Sequence, residues 1–327
     1  MPQKNVVEAV RDALLEEMER DPTVILMGED VGERGGVFRA TEGLLAKFGP
    51  ERVIDAPLAE SSIVGVAIGA AVNGFRPVAE IQFADFILPA VNQLISEAAK
   101  LRYRSNGAFG RPLTVRTPYG GGVHGALYHS QSIEALFAHI PGLKVVAPST
   151  PYDTKGLLKA AIRDPDPVLF LEHKRAYRLI RGEVPEGEYV LPIGKAEVKR
   201  QGTDLSLITY GLTVHYGLQA AEELAREGVS VEVLDLRTLL PLDREAVLAT
   251  AKKTGKVLIA HEDNLTGGLG GEVAAIIAQD AFEWLDAPVM RLAGPDVPAM
   301  GYAKTLEDAY MLSPEKIAAA LRKLAAY

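Results

Sequence analysis

Short apolar runs alternate with helix-length segments along almost the whole chain, and this alternation restricts the fold more than any other feature. Val24-Ile25-Leu26-Met27, Arg52 to Asp55, Pro77 to Phe83, Leu113 to Arg116, Leu143 to Val146 and Val168 to Leu171 read as strands. Between them, Val6, Ala9, Val10, Ala13, Leu14 and Met18 recur at helical spacing behind an Asn5/Glu8 capping-box pattern, so a helix is expected over Met1 to Arg20. Further helices are expected near Thr41 to Phe48, after Ser61-Ser62, over Pro89 to Tyr103, near Ile133 and from Pro151. Strands alternating with helices imply a mostly parallel α/β sheet with helices on both faces.

The rhythm breaks between His173 and Thr203, where Pro185, Gly187, Pro192, Gly194 and Gly202 fall among mixed charges. It resumes with strands at Leu205 to Tyr210, Val231 to Leu236, Val257 to Ala260 and Val289 to Leu292, separated by helices. At 327 residues the chain exceeds the roughly 250 to 300 residues that a single core sustains. Two α/β domains are therefore expected, over residues 1–175 and 204–327, joined by a linker over 176–203; the second is the smaller.

The absence of cysteine excludes a disulfide scaffold, a thiolate zinc site, an iron–sulfur cluster and a catalytic thiol. A formal charge of -8 disfavours nucleic acid or an anionic membrane as the main partner. The longest uncharged apolar run, Ile63 to Val72, is far below the roughly 18 to 20 residues of a membrane span. The first twenty residues read as an acid-rich amphipathic helix and not a signal peptide, so a cytoplasmic enzyme is expected.

Gly120-Gly121-Gly122-Val123-His124-Gly125 is a literal GxGxxG after a strand. A dinucleotide turn should open a helix and be followed by an acid about 20 positions on, yet Lys144 stands near that position. A flexible loop beneath a site is the better reading, with a nicotinamide oxidoreductase as the rival. There is no Walker A motif and no GDG-type metal-diphosphate motif. His124, His129 and His139 do not show zinc-ligand spacing, but His129, just before Ser130-Gln131-Ser132, suits proton transfer near neutral pH. Glu60 precedes the apolar run. One reading is a favourable charge at a helix N-terminus; the other is a proton-sharing carboxyl among apolar walls. Local sequence favours the first. Gly65 and Gly69, one turn apart, suggest a helix crossing at a subunit interface.

Larger motifs then converge. Gly28-Glu29-Asp30-Val31-Gly32, Gly35-Gly36-Val37-Phe38, Pro57-Leu58-Ala59-Glu60, Glu80-Ile81-Gln82-Phe83-Ala84-Asp85, His129-Ser130-Gln131 and Asp235-Leu236-Arg237-Thr238 resemble the beta subunits of thiamine-diphosphate-dependent 2-oxo acid dehydrogenases. The resemblance runs from about Asn5 to the C-terminus. It implies a transketolase-like pyrimidine-binding domain followed by a transketolase C-terminal-type domain. It also reverses the reading of Glu60, which matches the glutamate that hydrogen-bonds N1′ of the cofactor's aminopyrimidine and favours its imino tautomer. Gln82 and Phe86 match positions lining that ring, with Phe86 as the stacking face. His129 matches the histidine that donates a proton to lipoamide during acyl transfer, and His124 is a secondary candidate.

Leu113, Thr114, Ala161, Asp164 and Asp166 match a structural potassium site, with Asp166 standing where asparagine is common. The resemblance implies that an alpha subunit holds Mg2+ and the diphosphate, which accounts for the missing GDG-type motif, in an α2β2 heterotetramer that delivers acyl groups to a lipoyl acyltransferase core. The segments Gly125 to Gln131, Glu172 to Arg178 and Arg291 to Asp296 look more like branched-chain enzymes, hence 3-methyl-2-oxobutanoate dehydrogenase, than pyruvate or acetoin ones. A non-catalytic interaction subunit is the remaining alternative.

Overall fold

The Asn5 side chain accepts the Glu8 amide at 2.9 Å, and Glu8 accepts the Asn5 amide at 2.7 Å. This capping box starts the first helix at Val6, so it spans Val6–Arg20 and not the first twenty residues. Gln3–Asn5 is instead a strand, paired antiparallel with Arg181–Glu183, inside the segment read as linker. The computed structural model describes residues 1–110 and 112–327. Two compact units emerge: Met1–Tyr119 with Leu136–Ile193, and Gly120–Ala135 with Gly194–Tyr327.

In the first unit the strands run in the order Lys144–Val146, Val168–His173, Thr114–Tyr119, Arg76–Glu80, Val24–Gly28, Val53–Asp55. All of these neighbours are parallel, as the alternation requires. Every residue of Val24–Gly28 and of Val168–His173 is buried, which explains why these strands read as unbroken apolar runs. The helix Pro151–Arg163 packs on Val6–Arg20, and its buried Lys155 and Lys159 reach Glu16 at 2.6 and 2.8 Å.

The helix expected over Pro89 to Tyr103 is broken. A 3-10 segment Ala84–Ala90 contains Pro89, a π segment covers Gln93–Ala98, and a short α-helix covers Leu101–Arg104. Pro89 lacks the amide donor and crowds the turn before it, which fits the 3-10 form of Ala84–Ala90; it does not explain the π segment that follows. The apolar helix Glu60–Val72 buries Ile63, Val64, Ala67, Ile68 and Ala71. Its other side is open: Val66 is 58% exposed, and nothing lies within 4 Å of where a Cβ on Gly69 would stand.

The second unit carries a five-stranded sheet in the order Met290–Gly294, Val257–Asn264, Leu205–Thr209, Val231–Asp235, Glu197–Arg200. The last strand is antiparallel to its neighbour, and its polar sequence hid it from an apolar-run reading. Helices Leu212–Arg226, Arg244–Thr254, Leu269–Asp280 and Pro314–Ala325 accompany this sheet. No helix among the described residues is long and apolar enough to cross a membrane.

Candidate active site

Val24–Gly28, first in the chain of the parallel strands, lies between the second, Val53–Asp55, and the third, Arg76–Glu80. Strand order reverses there, and in open α/β sheets the crevice outside the carboxyl ends at such a reversal is where ligands bind. The residues following these three strands include Glu29 and Asp30, Glu60, and Gln82. Sequence resemblance nominated two of them, Glu60 and Gln82, and the strand order brings their segments to one end of one sheet.

Glu60 is the first residue of its helix and is half-buried. Burial, then Asp30, then Glu60 push the Glu29 carboxyl above its usual value, so the Glu60 carboxyl stands near enough to act on Glu29. The helix behind Glu60 packs against the 3-10 segment Ala84–Ala90 that carries Phe86. Phe86 is half-buried, and its ring meets Phe83 edge-on at 5.7 Å; Phe83 meets Phe38 at 5.6 Å. An aromatic cluster on the segment that packs against the Glu60 helix suits a flat heteroaromatic ring.

The loop after Val24–Gly28 explains the glycines of its motif. The Gly32 amide donates to Asp55 Oδ1 at 3.1 Å, and a Cβ there would collide with that carboxylate. Gly36 has φ +77 and lies so close that a Cβ would stand 3.0 Å from Glu80 Oε1. A side chain at either position would push the loop off the strand ends.

Beneath it lies a charged network that the sequence did not announce. Arg116 is 1% exposed, donates to both oxygens of Glu172 at 2.8 and 2.6 Å, and also donates to Glu80. The Tyr177 hydroxyl donates to Glu172 as well. Burial pushes the Glu80 carboxyl up, with Arg116 opposing. Burial alone would lower Arg116, but Glu172 and Glu80 together hold it above its usual value. Tyr177 is raised well above its usual value by burial and by Glu172. This cation bridges three neighbouring strands and leaves Tyr177 neutral, its ring 5.0 Å from Phe38.

His129 belongs to the second unit. The loop that carries it closes where the Gly120 amide donates to the Gln131 carbonyl at 2.9 Å. His129 is half-buried and follows a 3-residue 3-10 turn, Ala126–Tyr128. No long helix follows Gly120 to Gly125, so the dinucleotide reading has no structural support. Two carboxylates, Glu262 and Glu307, hold the loop: Glu262 Oε1 accepts the Gly121 amide at 2.5 Å, and Glu307 Oε1 accepts the Gly122 and His124 amides at 3.0 and 2.9 Å. Neither glutamate carries a local sequence signal, because each acts more than a hundred residues from the amides it holds. No group of three or more histidines or carboxylates among the described residues is arranged to hold a metal ion.

The positions expected to hold potassium fall at the start of the strand Thr114–Tyr119 and at the end of the helix Pro151–Arg163. Thr114 pairs with Val168, the Leu113 carbonyl accepts the Val168 amide at 2.9 Å, and the Ala161 carbonyl accepts the Asp164 amide at 3.2 Å. Thr114 is 1% exposed, and its hydroxyl finds no hydrogen-bond partner among the described residues. Asp164 already binds Lys144 Nζ at 2.8 and 2.7 Å, and Asp166 pairs with Arg102. Both carboxylates are thus engaged by basic side chains, and the Leu113 and Ala161 carbonyls by backbone amides.

Comparison with known proteins finds the same two-domain organisation. Residues 3–180 match the pyrimidine-binding domain of transketolase, and residues 194–317 match its C-terminal domain. The chain is 64% identical over 321 residues to the 2-oxoisovalerate dehydrogenase subunit beta of Bacillus subtilis (strain 168), covering 98% of each. It is 52% identical to the pyruvate dehydrogenase E1 component subunit beta of the same organism, over 90% of this chain and 91% of that relative. A solved structure described as a split gene transketolase, inactive beta4 tetramer, superposes with a TM-score of 0.80 at 26% identity, covering 98% of each chain. The chain therefore belongs to the family of 2-oxo acid dehydrogenase beta subunits, thiamine-diphosphate-dependent proteins built from a transketolase-type pyrimidine-binding domain and a transketolase-type C-terminal domain.

Proposed function

We propose that the chain is the beta subunit of a branched-chain 2-oxo acid dehydrogenase, acting on 3-methyl-2-oxobutanoate and its homologues and transferring the acyl group to lipoamide. The observation that carries this reading is a contrast within one organism. The branched-chain beta subunit of Bacillus subtilis is 64% identical to this chain, and its pyruvate counterpart 52%.

Thiamine diphosphate, when bound, supplies the carbon nucleophile that adds to the keto carbon of a 2-oxo acid and holds the electron pair left as CO2 departs. In this reading Glu60 shares a proton with the ring nitrogen of the aminopyrimidine, Phe86 stacks on that ring and Gln82 lines its edge. In acyl transfer a carbon–sulfur bond forms and the dithiolane S–S bond breaks. The electron pair from decarboxylation reduces the disulfide, and His129 gives the leaving sulfur its proton. Residues 1–175 bind the pyrimidine, and residues 204–327 dock the acyltransferase core.

In this reading an alpha subunit holds Mg2+ and the diphosphate, in keeping with the lack of a GDG-type motif here, and the working assembly is α2β2, in the cytoplasm. The open side of Glu60–Val72, with Val66, Gly65 and Gly69, forms the contact between beta chains. Leu113, Thr114, Ala161, Asp164 and Asp166 hold a structural potassium ion, mainly through backbone oxygens.

The test is a substrate series on the complex of this chain with its alpha partner, comparing kcat/KM for branched 2-oxo acids, pyruvate and acetoin. A preference for branched substrates is expected; a preference for pyruvate or acetoin would reassign the substrate.

A further inference from the structure

The loop from Gly120 to Gln131 is irregular and costly to hold. His124 and Ala126 both adopt left-handed backbone, at φ 57 and φ 54, where residues with a Cβ are disfavoured. Its regular structure is confined to the short turn Ala126–Tyr128. Something outside the loop must therefore fix its path.

Glu307 does so from the helix Lys304–Tyr310. Its side chain is 4% exposed. Oε1 accepts the amides of Gly122 and His124, and Oε2 lies 2.9 Å from His124 Nδ1. Amides that converge on one point form an anion-binding concavity, and here the protein's own carboxylate fills it. Gly121 is tied in the same way to Glu262, and a Cβ on Gly121 would strike Met300, so the loop lies flat on its anchors. On the far side, a Cβ on Gly125 would stand 2.5 Å from the His129 carbonyl, so the backbone at Gly125 abuts His129 itself. A rigid path therefore runs from Glu307 through residues 122–125 to His129.

We infer that Glu307 is a positioning residue for acyl transfer to lipoamide, acting through the loop backbone to fix His129. This rests on the role proposed for His129. The experiment uses the complex with the alpha partner and follows two reactions. Decarboxylation is read with an artificial electron acceptor, and acylation with free lipoamide. Glu307→Ala should lower acylation on the order of tenfold or more while decarboxylation persists, the scale expected when a catalytic group is misplaced. Glu307→Gln keeps an oxygen for both amides and should recover most of the acylation. Amide exchange should rise in residues 121–129 of Glu307→Ala and stay unchanged in the strands of the second unit.

Unchanged acylation in Glu307→Ala would overturn the inference. So would equal losses of both reactions, or a Glu307→Gln variant as impaired as Glu307→Ala. If the alanine variant fails to fold, the glutamine variant decides: intact acylation supports the inference and lost acylation overturns it. His129→Ala, assayed in parallel, separates the two ideas. Full acylation in that variant would remove the role of His129 itself, whatever Glu307 does.

Discussion

Glu60 shows how little one residue's neighbours in sequence reveal. A glutamate before an apolar helix is ordinarily just a favourable charge at its N-terminus, and local sequence supports nothing more. What changes its meaning is the position of its strand beside Val24–Gly28, at the place where strand order reverses. Its influence on Glu29, across an intervening helix and strand, is a property of the folded sheet. If Glu60 shares a proton with the cofactor ring, Glu60→Gln in the assembled complex should lower kcat for decarboxylation by roughly 100-fold or more, the usual range for removing an acid–base group. Thiamine diphosphate binding, measured by calorimetry, should persist. An unchanged kcat would leave Glu60 a structural cap. Glu262, Glu307, Glu80 and Arg116 were illegible for a different reason: each has its partner on a distant segment, and a lone charged residue carries no spacing signal.

At the scale of elements, the parallel strands were legible because burial on both faces makes them short apolar runs. Polar strands such as Gln3–Asn5 and Glu197–Arg200 were not, since they owe their conformation to pairing. The sheet of the second unit also carries a testable pH dependence. His261, on the strand Val257–Asn264, is fully buried, with Nδ1 3.1 Å from the Asp263 carbonyl and Nε2 accepting the Gly270 amide at 3.2 Å. Burial holds its pKa down to about 4, from the usual 6.5. The unfolded chain therefore takes up a proton at this site before the folded one does. Stability from this site is intact above pH 6.5 and is lost as pH falls toward 4. The loss amounts to roughly 3 kcal/mol at most. Burial raises Asp263 and Glu134, which act in the opposite sense, so the comparison must be differential. Thermal melts between pH 4 and 7 should show that His261→Gln flattens this slope relative to the unaltered chain. Parallel slopes would mean that His261 is not held neutral.

At the scale of the whole molecule, the apolar helix and the missing motif point the same way. Glu60–Val72 buries one side and leaves Val66 and Gly69 uncovered, although the sequence is apolar all round. A chain working alone gains nothing from that surface. Gly69→Phe should leave the folded beta chain intact, because a side chain there meets open space. Light scattering should nevertheless show a smaller assembly, and an unchanged mass would place the beta–beta contact elsewhere. The two-domain plan was legible from length and the broken rhythm at His173 to Thr203. The loop Gly120–Ala135, which groups with the second unit, was not, because nothing in its sequence names Glu262 or Glu307 as anchors.

The central claim is that this chain contains the pyrimidine half of an active site and needs a partner for the diphosphate half. The most direct measurement is CO2 release from 3-methyl-2-oxobutanoate with thiamine diphosphate and Mg2+, first by the purified chain and then after adding the alpha partner. No turnover by the chain alone, followed by activity on mixing, is the predicted result. Turnover by the chain alone would contradict the account.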